Sequence, residues 1–155
     1  MTQKTLLIVA HAPSPNTRRL RDALAEGAQN PDAPGVVVQS LSPFDTGPEH
    51  VMSADGIILS TTENLGYMSG ALKDFFDRIY YPTLDAKQGL PYALQIRAGN
   101  DGRGTQRAVE TIVTGLRWRT VQEALICRGD FQEAFVEQCR ELGAAMAVGL
   151  ETGVL

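Results

Sequence analysis

The stretch His11–Thr17, which reads HAPSPNT, combines imidazole, hydroxyl and amide side chains in a turn-rich segment. Apolar residues recur three and four positions apart directly after it, so the segment runs into the start of a helix. Backbone N–H groups at a helix start attract anions, and Arg18 and Arg19 add positive charge beside them. These residue types indicate a phosphate site, although a helix start capped by Ser or Asn explains them equally well.

Two further stretches place glycines next to polar or aromatic side chains. In Thr62–Gly70, the glycines allow a backbone to approach a flat ligand closely, Tyr67 offers a stacking face, and Leu65 and Met68 offer apolar contact. Ala98–Gly104, which reads AGNDGRG, could give backbone donors to a polar ligand edge. Each stretch alone has a plainer explanation, because Tyr67 and Met68 could cover a helix end and the third stretch could be a flexible turn.

Strands and helices must position these stretches, and the strand pattern is the clearer of the two. Five apolar or β-branched segments are predicted as strands: Lys4–Ala10, Val36–Gln39, Ile57–Thr61, Pro91–Arg97 and Arg119–Cys127. The first is apolar almost throughout, as expected of a strand that is buried on both faces.

Helices are predicted between most of these strands. One follows His11–Thr17, and a second begins after Ser69 as N-cap and stops at Pro82. A third is predicted to be capped by Thr105, and the last by a capping box of Asp130 and Glu133. Asp74 and Arg78 form an i,i+4 pair on the second helix, whereas residues 42–53 are predicted to be irregular, which leaves the helix between the second and third strands weak or missing.

Strands that alternate with helices favour a parallel sheet covered on both faces. With right-handed crossovers, five strands fit the doubly wound order 2-1-3-4-5, and residues 1–155 are expected to form one three-layer α/β domain. Ligands bind such sheets beyond the carboxyl ends of the strands, near the switch between the first and third. All three unusual stretches follow strands at that edge, so we expect them to converge.

Composition excludes several classes of function. The formal net charge is −4 and the pI is about 5.1, which argues against nucleic acid as a partner. The two histidines and two cysteines show no metal-ligand spacing, so no metal is expected, and Cys127 and Cys139 are expected to be small core residues. Neither a membrane span nor a signal peptide is evident, which makes the cytoplasm the expected location.

The segment Gly66–Arg78, which reads GYMSGALKDFFDR, is similar to a stretch of the flavodoxin-like flavoprotein superfamily, Gly-x-Met-Ser-Gly-x-(Leu/Met)-Lys-x-Phe-(Leu/Phe)-Asp-Arg. More narrowly, the chain resembles the branch of NAD(P)H-dependent FMN reductases and WrbA-like quinone reductases. The resemblance implies a flavodoxin-like fold with FMN as cofactor. It places the FMN phosphate in the first stretch and the isoalloxazine ring between the second and third.

Carried over residue by residue, the resemblance assigns Ser14, Asn16 and Thr17 to the phosphate, with His11 or Arg18 compensating for two departures from the flavodoxin pattern. Ala12 stands where a hydroxyl is common, and Pro15 replaces a glycine and removes a backbone donor. The residues expected to border the ring or its approach are Thr62, Glu63, Asn64, Leu65, Gly66, Tyr67, Met68, Gly99 and Asn100. Lys73, Asp74 and Asp77 are expected to have structural roles.

The resemblance implies an oxidoreductase in which NAD(P)H reduces FMN and a quinone, a flavin or a similar small acceptor removes the electrons. No side chain is assigned as catalytic, because the cofactor carries the chemistry. The main alternative is a flavodoxin-type carrier that docks with redox proteins. A signalling receiver domain and a fold that binds nothing are further alternatives, although His11-Ala12 and Arg128-Gly129 replace the acidic pair and the lysine that a receiver needs. A homodimer is compatible with this branch.

Overall fold

A computed structural model describes residues 3–155. Its sheet contains six strands, all paired in parallel: β1 (Lys4–Ala10), β2 (Val36–Leu41), β3 (Gly56–Thr62), β4 (Pro91–Ala98), β5 (Arg119–Thr120) and β6 (Leu125–Arg128). The strand order is β2-β1-β3-β4, and both β5 and β6 pair with the free edge of β4. The predicted order 2-1-3-4-5 is thereby confirmed as a flavodoxin-like α/β sheet.

The fifth position of the sheet differs from the prediction, because two short strands replace one continuous strand. Tyr92 pairs with Thr120 and Gln95 pairs with Leu125. Between these pairs, β4 has two residues and the opposite chain has four. The two extra residues of the opposite chain cannot pair with β4, so the predicted fifth strand is interrupted there.

Five α-helices cover the two faces of the sheet: α1 (Pro15–Ala28), α2 (Pro48–Ser53), α3 (Gly70–Thr83), α4 (Arg103–Leu116) and α5 (Glu133–Thr152). Alternate residues of β1 enter different cores, because successive side chains of a strand point to opposite faces. Leu6 and Ile8 pack with α1 and α5, whereas Leu7 and Val9 pack with α2, α3 and α4.

The helices α1 and α5 pack closely because each has a glycine at the contact. A Cβ at Gly27 would lie 1.8 Å from the carbonyl oxygen of Arg140, and one at Gly143 would lie 2.0 Å from that of Leu24. A larger side chain at either position would force the helices apart. Cys127 and Cys139 are buried in the core on this side of the sheet, as expected.

Two of the predicted helix caps are wrong. Helix α4 begins at Arg103 with Gly102 as N-cap, so Thr105 lies inside the first turn, where its hydroxyl donates to another loop. Helix α5 begins at Glu133 with Gln132 as N-cap and without a side-chain cap, and Glu133 pairs instead with Arg19 of α1. In both cases a partner distant in sequence takes the side chain that the local pattern assigned to capping.

The segment predicted to be irregular, residues 42–53, contains a 3₁₀ turn, Pro43–Asp45, and the short helix α2. Arg78 of α3 donates to the carbonyl oxygens of Thr46 and Pro43, each at 2.7 Å, and also pairs with Asp74. The segment is therefore ordered by α3. Ser69 caps α3 as predicted, and the helix ends at Thr83, one residue after Pro82.

Candidate functional site

The first loop joins β1 to α1, and its side chains are engaged with one another. The Ser14 hydroxyl accepts the N–H of Thr17, and the Thr17 hydroxyl accepts the N–H of Ser14 and lies 2.8 Å from Ser14 Oγ. Pro15 occupies the first helical position. Thr17 is buried, whereas Asn16 and Arg18 are exposed. Within residues 3–155 the backbone N–H of Asn16 has no partner, so it can donate to an anion.

His11 lies at the start of this loop, but it does not strengthen a phosphate site with charge at neutral pH. Partial burial lowers the pKa of its imidazole below the ordinary value of 6.5, so the ring is neutral at pH 7. His11 lines a cavity of about 490 Å³ between the first loop and the segment after β2, and the exposed Phe44 lines the same cavity. Arg18 is therefore the stronger candidate for a cation beside the phosphate.

The second loop follows β3 and contains a tight turn, Asn64–Tyr67. The N–H groups of Asn64 and Tyr67 each donate to the other residue's carbonyl at 2.9 Å. Both central residues have positive φ, 53° at Leu65 and 75° at Gly66, as in a type I′ turn. Leucine rarely adopts this conformation, yet the Leu65 side chain is fully exposed and gains nothing from burial.

The structure around this turn holds it in place. A Cβ at Gly104 of α4 would lie 2.3 Å from the carbonyl oxygen of Gly66, and the Thr105 hydroxyl donates to the carbonyl of Tyr67 at 2.9 Å. On the other side, the Thr61 hydroxyl accepts the N–H of Ser69. The strained conformation at Leu65 is thus fixed by its neighbours, an arrangement that is common at ligand sites.

The third loop follows β4, and the Glu63 side chain ties it to the second loop. The N–H groups of Asn100 and Gly102 donate to the two carboxylate oxygens of Glu63, each at 2.8 Å. Gly99 and Asn100 are exposed. Arg128 of β6 donates to the carbonyl of Asp101 at 2.8 Å, so the third loop is held from both sides.

The three loops lie at the carboxyl edge of neighbouring strands, as the sequence predicted. The N–H of His11 donates to Ser60 of β3, and that of Glu63 donates to Arg97 of β4. Gly66 and Gly99 face open space where a Cβ would stand, which leaves room for a flat ligand to approach the backbone.

Some predicted residues support the loops rather than face this opening. The Met68 side chain is 2% exposed and packs in the core, and the Thr62 hydroxyl donates to the Asn64 side chain at 2.8 Å. Sequence reasoning missed Thr61, Gly104 and Thr105 as residues that hold the second loop. For Gly104 and Thr105 the only signal was the glycine-rich composition before Thr105, because their contacts reach residues 38 positions away. Thr61 contacts Ser69, which is only eight positions away, but no residue pattern indicated that contact.

Within residues 3–155, no three His, Cys, Asp or Glu side chains gather as a metal site would require. Over the same residues, no helix has the length and apolar character needed to cross a bilayer.

This fold and this edge of three loops define the flavodoxin-like flavoproteins, and the comparisons with known proteins agree. A solved flavodoxin from the domain Archaea is 18% identical, with a TM-score of 0.77 over 92% of this chain and 96% of its own. The WrbA-like protein from Agrobacterium tumefaciens is 20% identical, with a TM-score of 0.72 over 94% and 96%. Among curated proteins, a flavodoxin of Aquifex aeolicus (strain VF5) is 23% identical over 92% of this chain and 84% of its own.

Residues 44–131, more than half of the chain, match the family model described as NADPH-dependent FMN reductase. The chain belongs to this family, whose cofactor is FMN. The matched region includes the second and third loops together with α3 and α4.

Proposed function

We propose that this protein binds FMN in a single domain and uses it to transfer electrons from NAD(P)H to a quinone, a flavin or a similar small acceptor. The observation that carries FMN binding is the convergence of the three loops, with the second and third joined by Glu63. The family match supports the use of NADPH as electron donor.

The first loop fits a phosphate group despite Pro15. Asn16 and Arg18 are exposed in the first turn of α1, and Ser14 is the N-cap directly before that turn. In this proposal Thr17 acts indirectly by orienting Ser14, and His11 contributes a neutral ring. The positive end of the α1 dipole adds to the attraction.

The second and third loops fit a flat ring. Gly66 and Gly99 leave the backbone open, and Asn64 and Asn100 offer polar groups at the rim. Leu65 and Tyr67 are exposed beside this opening and would contact the ring or an incoming acceptor. The remaining predicted residues, Thr62, Glu63 and Met68, hold the loop that makes these contacts.

Bound FMN would supply the redox chemistry, accepting hydride from NAD(P)H and releasing the electrons to the acceptor. The protein's residues would bind the phosphate, hold the ring edge and leave one side open to both substrates. No side-chain acid or base is needed for these tasks, so none is assigned.

The second candidate function is electron carriage between redox proteins, which the similarity to the Aquifex aeolicus flavodoxin favours. Carriers that steer partners by charge need one dominant sign around the cofactor. Here Arg18, Arg103 and Arg107 are exposed at the same edge as Asp101. The arginines outnumber the carboxylate, so this edge is not the acidic surface typical of flavodoxin carriers, and a small acceptor is favoured.

An anaerobic titration of the FMN-loaded protein with NADPH, followed by flavin absorbance, tests the proposal. Rapid bleaching at a stoichiometric amount of NADPH is expected. Flavin that stays oxidised with NADPH but is reduced by a flavoprotein reductase would show a carrier instead. A chain that retains no FMN would reject both functions.

A further inference from the structure

Glu63 occupies an unusual place between the two loops that are proposed to enclose the flavin ring. Its backbone continues the ladder of β3, because its N–H donates to Arg97 of β4. Its side chain instead crosses to the third loop and accepts the N–H groups of Asn100 and Gly102. One carboxylate therefore bonds two residues of the third loop that lie 37 and 39 positions further along the chain.

The two hydrogen bonds are charge-assisted, and both oxygens are needed to make them. The third loop is rich in glycine, and Gly102 adopts a φ of 71°, so its backbone has little intrinsic preference for this shape. Two N–H groups that converge in this way form a small anion-binding concavity. In this protein a side chain from the neighbouring loop fills that concavity.

We propose that Glu63 is a positioning residue: its carboxylate fixes the third loop against the second and withholds the N–H groups of Asn100 and Gly102 from the flavin. This inference rests on the proposed FMN site. A reduced flavin carries more negative charge on its polar ring edge than an oxidised one. Donors released from Glu63 would therefore favour the reduced cofactor.

Three variants of the protein separate position from charge. Glu63→Gln keeps the size of the side chain but retains only one acceptor oxygen, and Glu63→Asp keeps the charge on a side chain one methylene shorter. Asp101→Asn is the matched control, because Asp101 lies in the same loop and bears the same charge, and among residues 3–155 its carboxylate accepts only the N–H of Arg103. Thermal unfolding without FMN establishes that each variant is folded.

The first measurement is the dissociation constant for FMN, from quenching of its fluorescence. If Glu63 positions the loop, Glu63→Gln and Glu63→Asp both weaken binding of oxidised FMN by about tenfold, the equivalent of losing one charge-assisted hydrogen bond. Asp101→Asn stays within about twofold of the wild type. Equal effects in Glu63→Gln and Asp101→Asn, with Glu63→Asp unchanged, would show that charge alone matters and would overturn the proposal.

The second measurement is the midpoint potential of bound FMN, from equilibration with a reference dye. The released donors should raise the affinity for reduced relative to oxidised FMN about tenfold in Glu63→Gln, a rise of about 30 mV for a two-electron couple. A weaker dissociation constant with an unchanged potential would mean a merely structural role and would reject the inference. Failure of the wild-type protein to bind FMN would reject the proposed function itself, before any variant is compared.

Discussion

At the scale of single residues, the hydroxyl groups of Ser14 and Thr17 form hydrogen bonds at the start of α1 without any ligand. Each accepts the other's backbone N–H, at 3.2 and 2.9 Å. The same arrangement leaves the Ser14 hydroxyl near the exposed Asn16 amide, where a phosphate would bind. Ser14 therefore has two roles that a substitution should reveal separately.

We expect Ser14→Ala to destabilise the protein by about 1 kcal/mol, because α1 loses its N-cap. It should also weaken binding of FMN but leave binding of riboflavin, which has no phosphate, nearly unchanged. Urea unfolding and flavin fluorescence titrations measure the two effects. Ser69→Ala is the matched control, since it removes the cap of α3 away from the phosphate loop. An equal loss of FMN and riboflavin affinity in Ser14→Ala would contradict the phosphate assignment.

At the scale of elements, the turn Asn64–Tyr67 places a leucine in a left-handed conformation without burying it. The left-handed region costs most residues roughly 1–2 kcal/mol, whereas asparagine tolerates it well. Neighbours in α4 supply the contacts that hold the turn. Stability therefore does not explain the exposed apolar side chain of Leu65. We propose that this side chain contacts the flavin or an acceptor.

We expect Leu65→Asn to stabilise the protein by about 1 kcal/mol and raise Tm by roughly 3 °C, while it lowers the rate of acceptor reduction. Arg117→Asn provides the control, because Arg117 also has a positive φ, 60°, but ends α4 at the opposite edge of the sheet. It should give a similar gain in Tm with unchanged activity. A stabilised Leu65→Asn with full activity would show that Leu65 has no role at the site.

The contact between α4 and the turn gives a second prediction at this scale. Alanine is ordinarily a better helix residue than glycine, but a Cβ at Gly104 would meet the Gly66 carbonyl oxygen. We therefore expect Gly104→Ala to lower both Tm and FMN affinity, measured by thermal unfolding and fluorescence titration. Unchanged FMN affinity would mean that the position of the turn does not matter for binding.

At the scale of the whole molecule, α1 and α5 are joined by ion pairs as well as by close glycine contacts. Arg19 makes a two-pronged contact with Glu133, and Arg140 pairs with Glu26. The hydrogen bond from Arg19 lowers the pKa of Glu133 below its ordinary value of 4.5. Because both side chains are exposed, the stabilisation is small and screened by salt.

The sign of the pH dependence follows from that lowered pKa. Folding favours ionised Glu133, so its contribution is full above the ordinary pKa of 4.5 and is lost as pH falls through the lower folded value. We expect Glu133→Gln to have a slightly lower Tm than the wild type at pH 7 and the same Tm in strong acid. Glu141→Gln changes another exposed carboxylate of α5, and its Tm difference from the wild type should not depend on pH in this way. If that difference also disappears in acid, the ion pair of Glu133 is not the cause of the pH dependence.

The sequence predicted the strand order and the edge where the loops meet, because both follow from short-range patterns. An apolar run such as Lys4–Ala10 and the three-to-four spacing after it mark β and α segments locally, and their alternation leaves few topologies. The motif Gly66–Arg78 likewise indicated the family without any long-range contact. Local patterns predict these features because each strand or helix must bury its own apolar residues, whatever its distant neighbours are.

Only the tertiary structure decided which side chains of the three loops are exposed and which hold the loops together. Glu63 was predicted at the ring border, but its carboxylate crosses to Asn100 and Gly102. Thr105 and Glu133 matched local capping patterns, yet each bonds a residue far away in the sequence. Such pairings depend on strand register and helix packing, which bring together positions 37 to 114 residues apart. A local sequence pattern does not identify the distant residue with which a side chain forms a hydrogen bond or an ion pair.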